Sequence, residues 1–338
     1  MLADPEIRER IALLRYPAIY LVIFAHIPST AKFLQHPGVT TFIGTAVADV
    51  LIYASIPTLT FISGLLLFNS RLDLKYPQLL RKRGRSLLLP MVAWNLPLAL
   101  ALFIVQWQHL LDYSFDPRLT LYPIRLMTWL NAVFSITDYP IVFPLHFLRD
   151  LFLCCLLAPL VGWVIRRAPI VGLAGMVAIM APDLDGELFR NNTIPVNFYM
   201  GGMAALGHYP LKSLDRYAWY AIPVLVAVCA VCVVLELDKP FWLRLLAPPL
   251  VWPMASLVVG TPLGRWLAAH SGDAIFLFMC HGLLLMVIHA AYPAMAAGPF
   301  PFWFWLVYPM AIAGTCFVIG KVLQRWFRPL YTLLIGMR

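Results

Sequence analysis

The sequence predicts an all-α membrane protein with about ten transmembrane helices. The chain has 338 residues, of which 62% are hydrophobic and 12% charged, and its mean hydropathy is +0.80. A soluble domain carries about 25% charged residues, so this chain lacks the polar surface that would keep it in water. Its apolar runs are continuous and about twice as long as an outer-membrane strand, which favours helices over a β-barrel.

Ten apolar segments are candidate spans, because a membrane-crossing helix needs about 20 mostly apolar residues. The fifth and sixth are the shortest. In chain order the candidates are 11–31, 43–69, 86–106, 144–165, 168–182, 194–209, 217–235, 243–260, 272–291 and 301–322. An even number of spans places both termini on the same side of the membrane.

The basic residues predict the orientation. With ten spans, most of the 25 Lys and Arg residues fall on one side of the membrane, and the positive-inside rule assigns that side to the cytoplasm. Both termini are therefore expected in the cytoplasm. The net charge of +9 indicates orientation and an attraction to anionic membrane lipids, and no nucleic-acid partner is predicted.

Arg15 and His26 are the first polar residues that stand out, because ionisable side chains inside a span are costly and are functional candidates by default. They lie eleven residues apart in RYPAIYLVIFAH, so they share one helix face and are separated by about 16 Å along the axis. The pair could bracket an elongated ligand. The alternative is that Arg15 is an interfacial anchor and His26 packs against a neighbouring helix.

A basic run precedes the third span. Arg81, Lys82, Arg83 and Arg85 stand in RKRGRSLLLPMVAWN, and guanidinium groups bind phosphate with two parallel hydrogen bonds. The run therefore indicates either a polyphosphate site or a plain orientation signal. Just before it, the second span ends in FISGLLLF, where a serine followed by Gly64 permits a close approach of two helix backbones.

The fourth span opens with three polar residues in PLHFLRDLF. His146 and Arg149 share a face of the helix, whereas Asp150 is expected to pair poorly with Arg149, its sequence neighbour, so that each finds a partner elsewhere. Two further buried polar residues are candidates. Asp49 in the second span could orient a histidine, and His281 stands in FLFMCHGLLL of the ninth span. The cysteines and histidines form no coherent ligand set, so no metal site is predicted.

The longest segment between spans is 107–143, on the side opposite the cytoplasm. Its aromatic and carboxylate side chains suit sugar rings and hydroxyl groups, but they also suit an ordinary interfacial belt. These side chains are Trp107, Asp112, Tyr113, Asp116, Trp129, Asp138 and Tyr139.

Five of these segments, in this order, resemble the acyltransferase-3 family of bacterial membrane acyltransferases. They are the R-x10-H pattern of Arg15 and His26, the FISGLLLF ending, the arginine run before LLLPMVAWN, PLHFLRDLF, and FLFMCHGLLL. Two departures are visible. Met91 replaces the usual tyrosine of the third motif, and Met279 and Cys280 stand where an aromatic-leucine pair is common in the fifth.

The resemblance implies O-acyl transfer, of an acetyl or succinyl group, from cytoplasmic acyl-CoA to a carbohydrate hydroxyl. The acceptor would be a cell-surface or exopolysaccharide glycan or a lipid-linked oligosaccharide. The resemblance further implies one transmembrane acyltransferase domain over residues 1–338, in the bacterial inner membrane, with acyl-CoA as co-substrate and no bound cofactor.

Roles for the polar residues follow from the chemistry of that reaction. A sugar hydroxyl needs a general base near neutral pH, and histidine suits this task, so His26 is the predicted base. Arg149 or His146 would stabilise the negative charge on the thioester oxygen, while Asp150 or Asp49 would hold an imidazole tautomer. The predicted catalytic residues are His26, His146, Arg149 and Asp150, the predicted donor-binding residues are Arg15, Arg81, Arg83 and Arg85, and Asp49 and His281 are possible supporting residues.

Two other functions use the same intramembrane charges. The chain could be a glycan or lipid-linked sugar flippase without acyl transfer, or a non-catalytic assembly protein of the polysaccharide machinery. Transporters often show repeated halves with broken helices in matching positions. No such repeat is found in the sequence, which favours the enzyme.

Overall fold

The structure is a computed structural model that describes residues 4–26, 52–110, 119–235, 237, 241–295 and 302–336. Within these ranges the regular structure is helical and contains no strand, as the composition predicts. The α-helices are α1 (Pro5–Ala25), α2 (Ile52–Asn69), α3 (Tyr76–Arg83), α4 (Leu89–Trp107), α5 (Leu126–Phe134), α6 (His146–Arg167), α7 (Pro169–Met180), α8 (Thr193–Leu206), α9 (Ala218–Val234), α10 (Phe241–Ser256), α11 (Pro262–Ala269), α12 (Ala274–Met295), α13 (Phe302–Trp326) and α14 (Arg328–Ile335).

Several of these helices are long and apolar enough to cross a membrane, which makes the chain a multi-pass membrane protein. In the described ranges they are Tyr76–Trp107, Phe143–Arg167, Leu211–Cys232 and Val307–Trp326. A fifth crossing is added if Pro262–Gly272 and Ala274–Ile288, which meet at 69°, form one bent span. Each of the ten predicted segments overlaps a helix, but α7 and α8 have only 12 and 14 residues. The ten-span count therefore stays a prediction.

Four short helices have no counterpart among the predicted segments. They are α3, α5, α11 and α14, and none exceeds nine residues, so a search for 20-residue apolar runs passes over them. The helix α5 lies inside the segment 107–143. It is amphipathic: Ala132 and Val133 are buried, whereas Leu126 is 76% exposed.

The backbones of α2 and α8 approach each other through glycines. A Cβ atom on Gly64 would lie 2.1 Å from the carbonyl oxygen of Phe198, and one on Gly201 would lie 2.1 Å from the carbonyl oxygen of Phe61. Helices in membranes associate through such close packing of small residues. The close approach predicted at Gly64 is confirmed, and we call this α2–α8 contact the glycine seam.

A buried arginine ties the start of α1 to the turn before α9. Arg10 has no exposed surface, and its guanidinium donates to both carboxylate oxygens of Asp215 at 2.6 Å and to Glu6. Lys212 lies 2.7 Å from Asp4 and from Glu6, and its hydrogen bond holds the pKa of Asp4 below the usual value. A buried charge is tolerated when it is paired and hydrogen-bonded in this way.

We predict that Gly64→Ala and Gly201→Ala destabilise the protein, because the added methyl group overlaps a backbone atom that cannot move aside. Overpacking of this kind costs about 1–3 kcal/mol, which would appear as a lower midpoint of thermal unfolding in detergent. Gly175→Ala is the matched control, because its Cβ would meet no atom within 4 Å. Equal midpoints of thermal unfolding for all three variants would contradict a close backbone contact at the glycine seam.

Candidate active site

A cavity of about 330 Å³ lies between α1, α2, α6 and α12, and two arginines point into it. Arg15 comes from α1 and Arg83 from the end of α3. Among the described residues, neither guanidinium has a hydrogen-bond or ion-pair partner, and Nε of Arg83 is buried without an acceptor. Both side chains are only partly exposed, and taking a cationic group out of water without a partner is costly, so this arrangement suits a ligand that brings the negative charge.

The structure divides the predicted donor-binding residues. Arg15 and Arg83 line the same cavity, whereas Arg81 and Arg85 are exposed and do not line it. Arg81 lies two residues before Arg83 and therefore on another helix face. Arg85 lies two residues after Arg83, within a π-helical turn at Gly84–Leu88.

The C-terminal helix α14 forms part of the cavity wall, a role that the sequence did not indicate. Ile335 lines the cavity, and the indole Nε1–H of Trp94 donates to the carbonyl oxygen of Leu334 at 3.1 Å. The backbone at Gly336 lies so close to Arg85 that a Cβ there would be 2.8 Å from the Arg85 carbonyl oxygen. The LLLPMVAWN segment thus holds the C-terminal helix in place.

Two histidines lie behind Phe278, one of the residues that line the cavity. Phe278 lines the cavity, and its ring centroid is 5.7 Å from that of His281. The ring of His281 lies 5.8 Å from the ring of His26, with an interplanar angle of 19°. His26 caps the C-terminus of α1, and its ring also meets the ring of Phe143 edge-on at 4.7 Å. Arg15 and Arg83 therefore belong to the cavity lining, whereas the histidine pair lies outside the lining, behind Phe278.

The hydrogen bonds of His281 define which of its nitrogens is protonated. Its Nδ1 lies 2.7 Å from the carbonyl oxygen of Phe278 and 3.2 Å from that of Leu277. A carbonyl oxygen can only accept, so Nδ1 carries the proton and donates it. In the neutral ring Nε2 then holds the lone pair, and this buried atom has no partner within the described part of the chain. The sequence around Met279 did not indicate that His281 contacts His26.

His146 is connected to the histidine pair through Phe143. Its Nδ1 donates to the carbonyl oxygen of Phe143 at 2.7 Å, while the Phe143 ring packs against His26. The ring of Tyr139 meets His146 edge-on at 5.1 Å. His146 and His26 therefore contact the same residue, Phe143.

Asn95, at the end of LLLPMVAWN, positions the turn that carries Phe143. It is fully buried, its Oδ1 accepts the backbone N–H of Val142 at 2.8 Å, and its Nδ2 donates to the carbonyl oxygen of Met91 at 2.9 Å. The sequence offered a signal here, an amide in an apolar helix, but gave no indication of its partner 47 residues away.

Arg149 and Asp150 pair with each other, so the expectation that these sequence neighbours pair poorly was wrong. Arg149 donates to Asp150 Oδ1 at 2.8 Å, because its long side chain folds back along the first turn of α6. It also donates to the carbonyl oxygens of Leu188 and Ile136, and the second oxygen of Asp150 accepts the Asn191 N–H at 3.0 Å. These contacts attach two connecting segments to α6, and the catalytic roles of both residues stay predictions.

The aromatic residues of the segment 107–143 have different environments. Trp129 packs on Phe103 and donates from Nε1 to the carbonyl oxygen of Leu121 at 3.3 Å, so it belongs to the core of this segment. Tyr139 is 39% exposed beside His146 and Trp107 is 53% exposed, which leaves both able to meet a sugar ring. Asp49, Asp112, Tyr113 and Asp116 lie outside the described residues.

Comparison with known proteins supports the resemblance drawn from the motifs. The acyltransferase domain family (Acyl_transf_3) matches residues 8–320. The chain is also 29% identical over 328 residues to the succinoglycan biosynthesis protein ExoH of Rhizobium meliloti (strain 1021), which covers 92% of this chain and 87% of that protein. No solved structure matches the chain.

We predict that Arg149→Gln loosens the segment 183–193, because three carbonyl or carboxylate acceptors lose a charged donor at once. The expected result is faster limited proteolysis in this segment and a lower midpoint of thermal unfolding. Arg190→Gln is the matched control, since its hydrogen bonds reach only Glu187 of the same segment. Proteolysis at the wild-type rate, with acyl transfer lost, would instead favour a direct catalytic role for Arg149.

Proposed function

The chain belongs to the acyltransferase-3 family, and from this premise we propose that it transfers an acyl group, acetyl or succinyl, from acyl-CoA to a hydroxyl of an exopolysaccharide or its lipid-linked precursor. The observation that carries the proposal is the cavity lined by two unpaired arginines, with a histidine pair packed behind its Phe278 wall. The polysaccharide acceptor is inferred from the relative, whose name assigns it to succinoglycan biosynthesis.

The arginine end of the cavity fits the donor. Acyl-CoA carries phosphates, which guanidinium groups bind with charge-assisted hydrogen bonds, and an extended pantetheine arm that ends in the thioester. Arg15 and His26 are about 16 Å apart along α1, a separation that suits an elongated arm better than a compact ligand. The rest of the cavity is lined mostly by apolar residues, with Ser63 and Ser271 as polar exceptions.

The histidine end fits the chemistry. In the proposed reaction the sugar hydroxyl attacks the thioester carbon, His26 takes the hydroxyl proton, and the C–S bond breaks with its electron pair going to sulfur. The thiolate then recovers the proton from His26. Arg149 and His146 are the candidates for stabilising the oxyanion, although His146 can donate from Nε2 only as imidazolium, because its Nδ1–H is held by Phe143.

The acceptor is proposed to come from the side opposite the donor. Tyr139 lies exposed beside His146 at that end of the site, and aromatic faces pack well on sugar rings. This placement agrees with the distribution of basic residues, which supports a ten-span protein of the bacterial inner membrane with both termini in the cytoplasm. Donor and acceptor would then meet near His26 from opposite sides.

The central experiment incubates the purified protein in detergent with labelled acyl-CoA and a glycan acceptor. We expect CoA release and labelled glycan from the wild type and a loss of about 100-fold or more in kcat for His26→Asn, since general base catalysis contributes about 10²–10⁴-fold. His208→Asn is the control, because this exposed histidine lies away from the cavity. If the wild type releases no CoA but moves glycan across a vesicle membrane, the flippase alternative replaces the proposal.

A second experiment tests the donor end by measuring the affinity for acyl-CoA. Arg83→Gln and Arg15→Gln should weaken donor binding about 10-fold or more, because each removes a hydrogen bond from a charged donor worth about 1.5–3 kcal/mol. Arg81→Gln is the matched control, since Arg81 is exposed outside the cavity. If Arg81→Gln lowers the affinity for acyl-CoA as much as Arg83→Gln does, the basic run acts through its overall positive charge rather than through contacts in the cavity.

A further inference from the structure

One buried nitrogen in the site has no described partner. His281 has no exposed surface, its Nδ1–H is committed to the carbonyl oxygens of α12, and Nε2 is left without a donor within the described ranges. An unsatisfied buried polar atom costs about 1–3 kcal/mol. Such an atom in an otherwise well-packed core calls for a functional explanation.

The surroundings of the ring indicate which donor could satisfy it. Two rings contact His281 in the described part of the chain, those of Phe278 and His26. A phenylalanine ring carries no N–H group, whereas an imidazole does. The near-parallel His26 ring, 5.8 Å away, is therefore the ring neighbour that can donate to Nε2.

We infer that His281 is a positioning residue for His26, with Nε2 of His281 accepting an N–H of the His26 imidazole during the reaction. This inference rests on the proposed function, because it gives His26 the role of base. Hydrogen bonding at one ring nitrogen determines which nitrogen carries the lone pair. The acceptor on His281 would thus leave the other nitrogen of His26 unprotonated and ready to take the hydroxyl proton.

The arrangement forms a chain of hydrogen bonds that ends in the backbone. The carbonyl oxygen of Phe278 accepts from Nδ1 of His281. In the proposal, Nε2 of His281 accepts from His26, whose other nitrogen accepts from the sugar hydroxyl. When the hydroxyl oxygen bonds to the acyl carbon, its proton passes to His26, and it later passes to the sulfur that leaves with the C–S electron pair. His281 keeps its own Nδ1 proton throughout. Its acceptor nitrogen stabilises the positive charge on His26, as the orienting carboxylate does in a catalytic triad.

Substitutions at His281 separate this role from packing. Glutamine places its carboxamide near the position of Nε2 and can offer an acceptor oxygen there, whereas asparagine reaches only the position of Nδ1. We expect His281→Asn to lower kcat about 10- to 100-fold with acyl-CoA affinity unchanged, and His281→Gln to retain most of the activity. Because the two residues act as a unit, His281→Asn should cause no further loss in a His26→Asn background.

A second measurement does not depend on turnover. Histidine labelled with ¹⁵N reports the tautomer of His26 in detergent, with a non-hydrolysable acyl-CoA analogue present. We expect one tautomer in the wild type and in His281→Gln, and a mixture of both in His281→Asn. A mixture in the wild type, or equal kcat for the asparagine and glutamine variants, would overturn the inference while leaving acyl transfer intact. A single tautomer without any acyl transfer by the wild type would instead overturn the proposed function.

Discussion

The glycine seam between α2 and α8 is the constraint on which the site depends. At this contact the two helix backbones touch directly. The carbonyl oxygen of Phe198 occupies the space of a Cβ atom on Gly64, and that of Phe61 occupies the space of a Cβ atom on Gly201. In a bilayer the lipid tails are as apolar as leucine, so helices are held by close packing rather than by exclusion of water. The same helix α2 supplies one wall of the cavity, so a shift at the seam would move that wall away from Arg15.

The charged residues in the apolar body fall into two groups that differ in their partners. Arg10 with Asp215, Arg166 with Asp73, and Arg149 with Asp150 are ion pairs that join separate elements or secure the start of α6. Arg15 and Arg83 have no such partner among the described residues and share one cavity. The paired charges therefore stabilise the fold, whereas the two unpaired arginines are the ones that we propose to bind the donor.

The sequence predicted the helices and part of the site for identifiable reasons. Apolar runs locate helices because the bilayer demands them, and each predicted segment overlaps a helix. The shared face of Arg15 and His26, inferred from the period of 3.6 residues, stays a prediction. The sequence alone could not single out Arg83: it lies two residues from both Arg81 and Arg85 and thus on another helix face, but only the packing of the helices shows which face lines the cavity. Nor could the sequence alone indicate α14 or the contact of His281 with His26, since both depend on packing between segments that are distant in the chain.

The order of residues along α1 bears on both substrates of the proposed reaction. Arg10 is buried in ion pairs and anchors the helix at one end. Arg15 follows at the donor end of the cavity, Ile19 continues the wall, and His26 closes the helix against Phe143 and His281. Because a helix has a rise of about 1.5 Å per residue, the distance from the proposed phosphate site to the proposed base is built into α1 itself. In the proposed reaction, α1 would therefore set the depth at which an extended donor presents its thioester, because the helix is fixed at Arg10 and packed at His26.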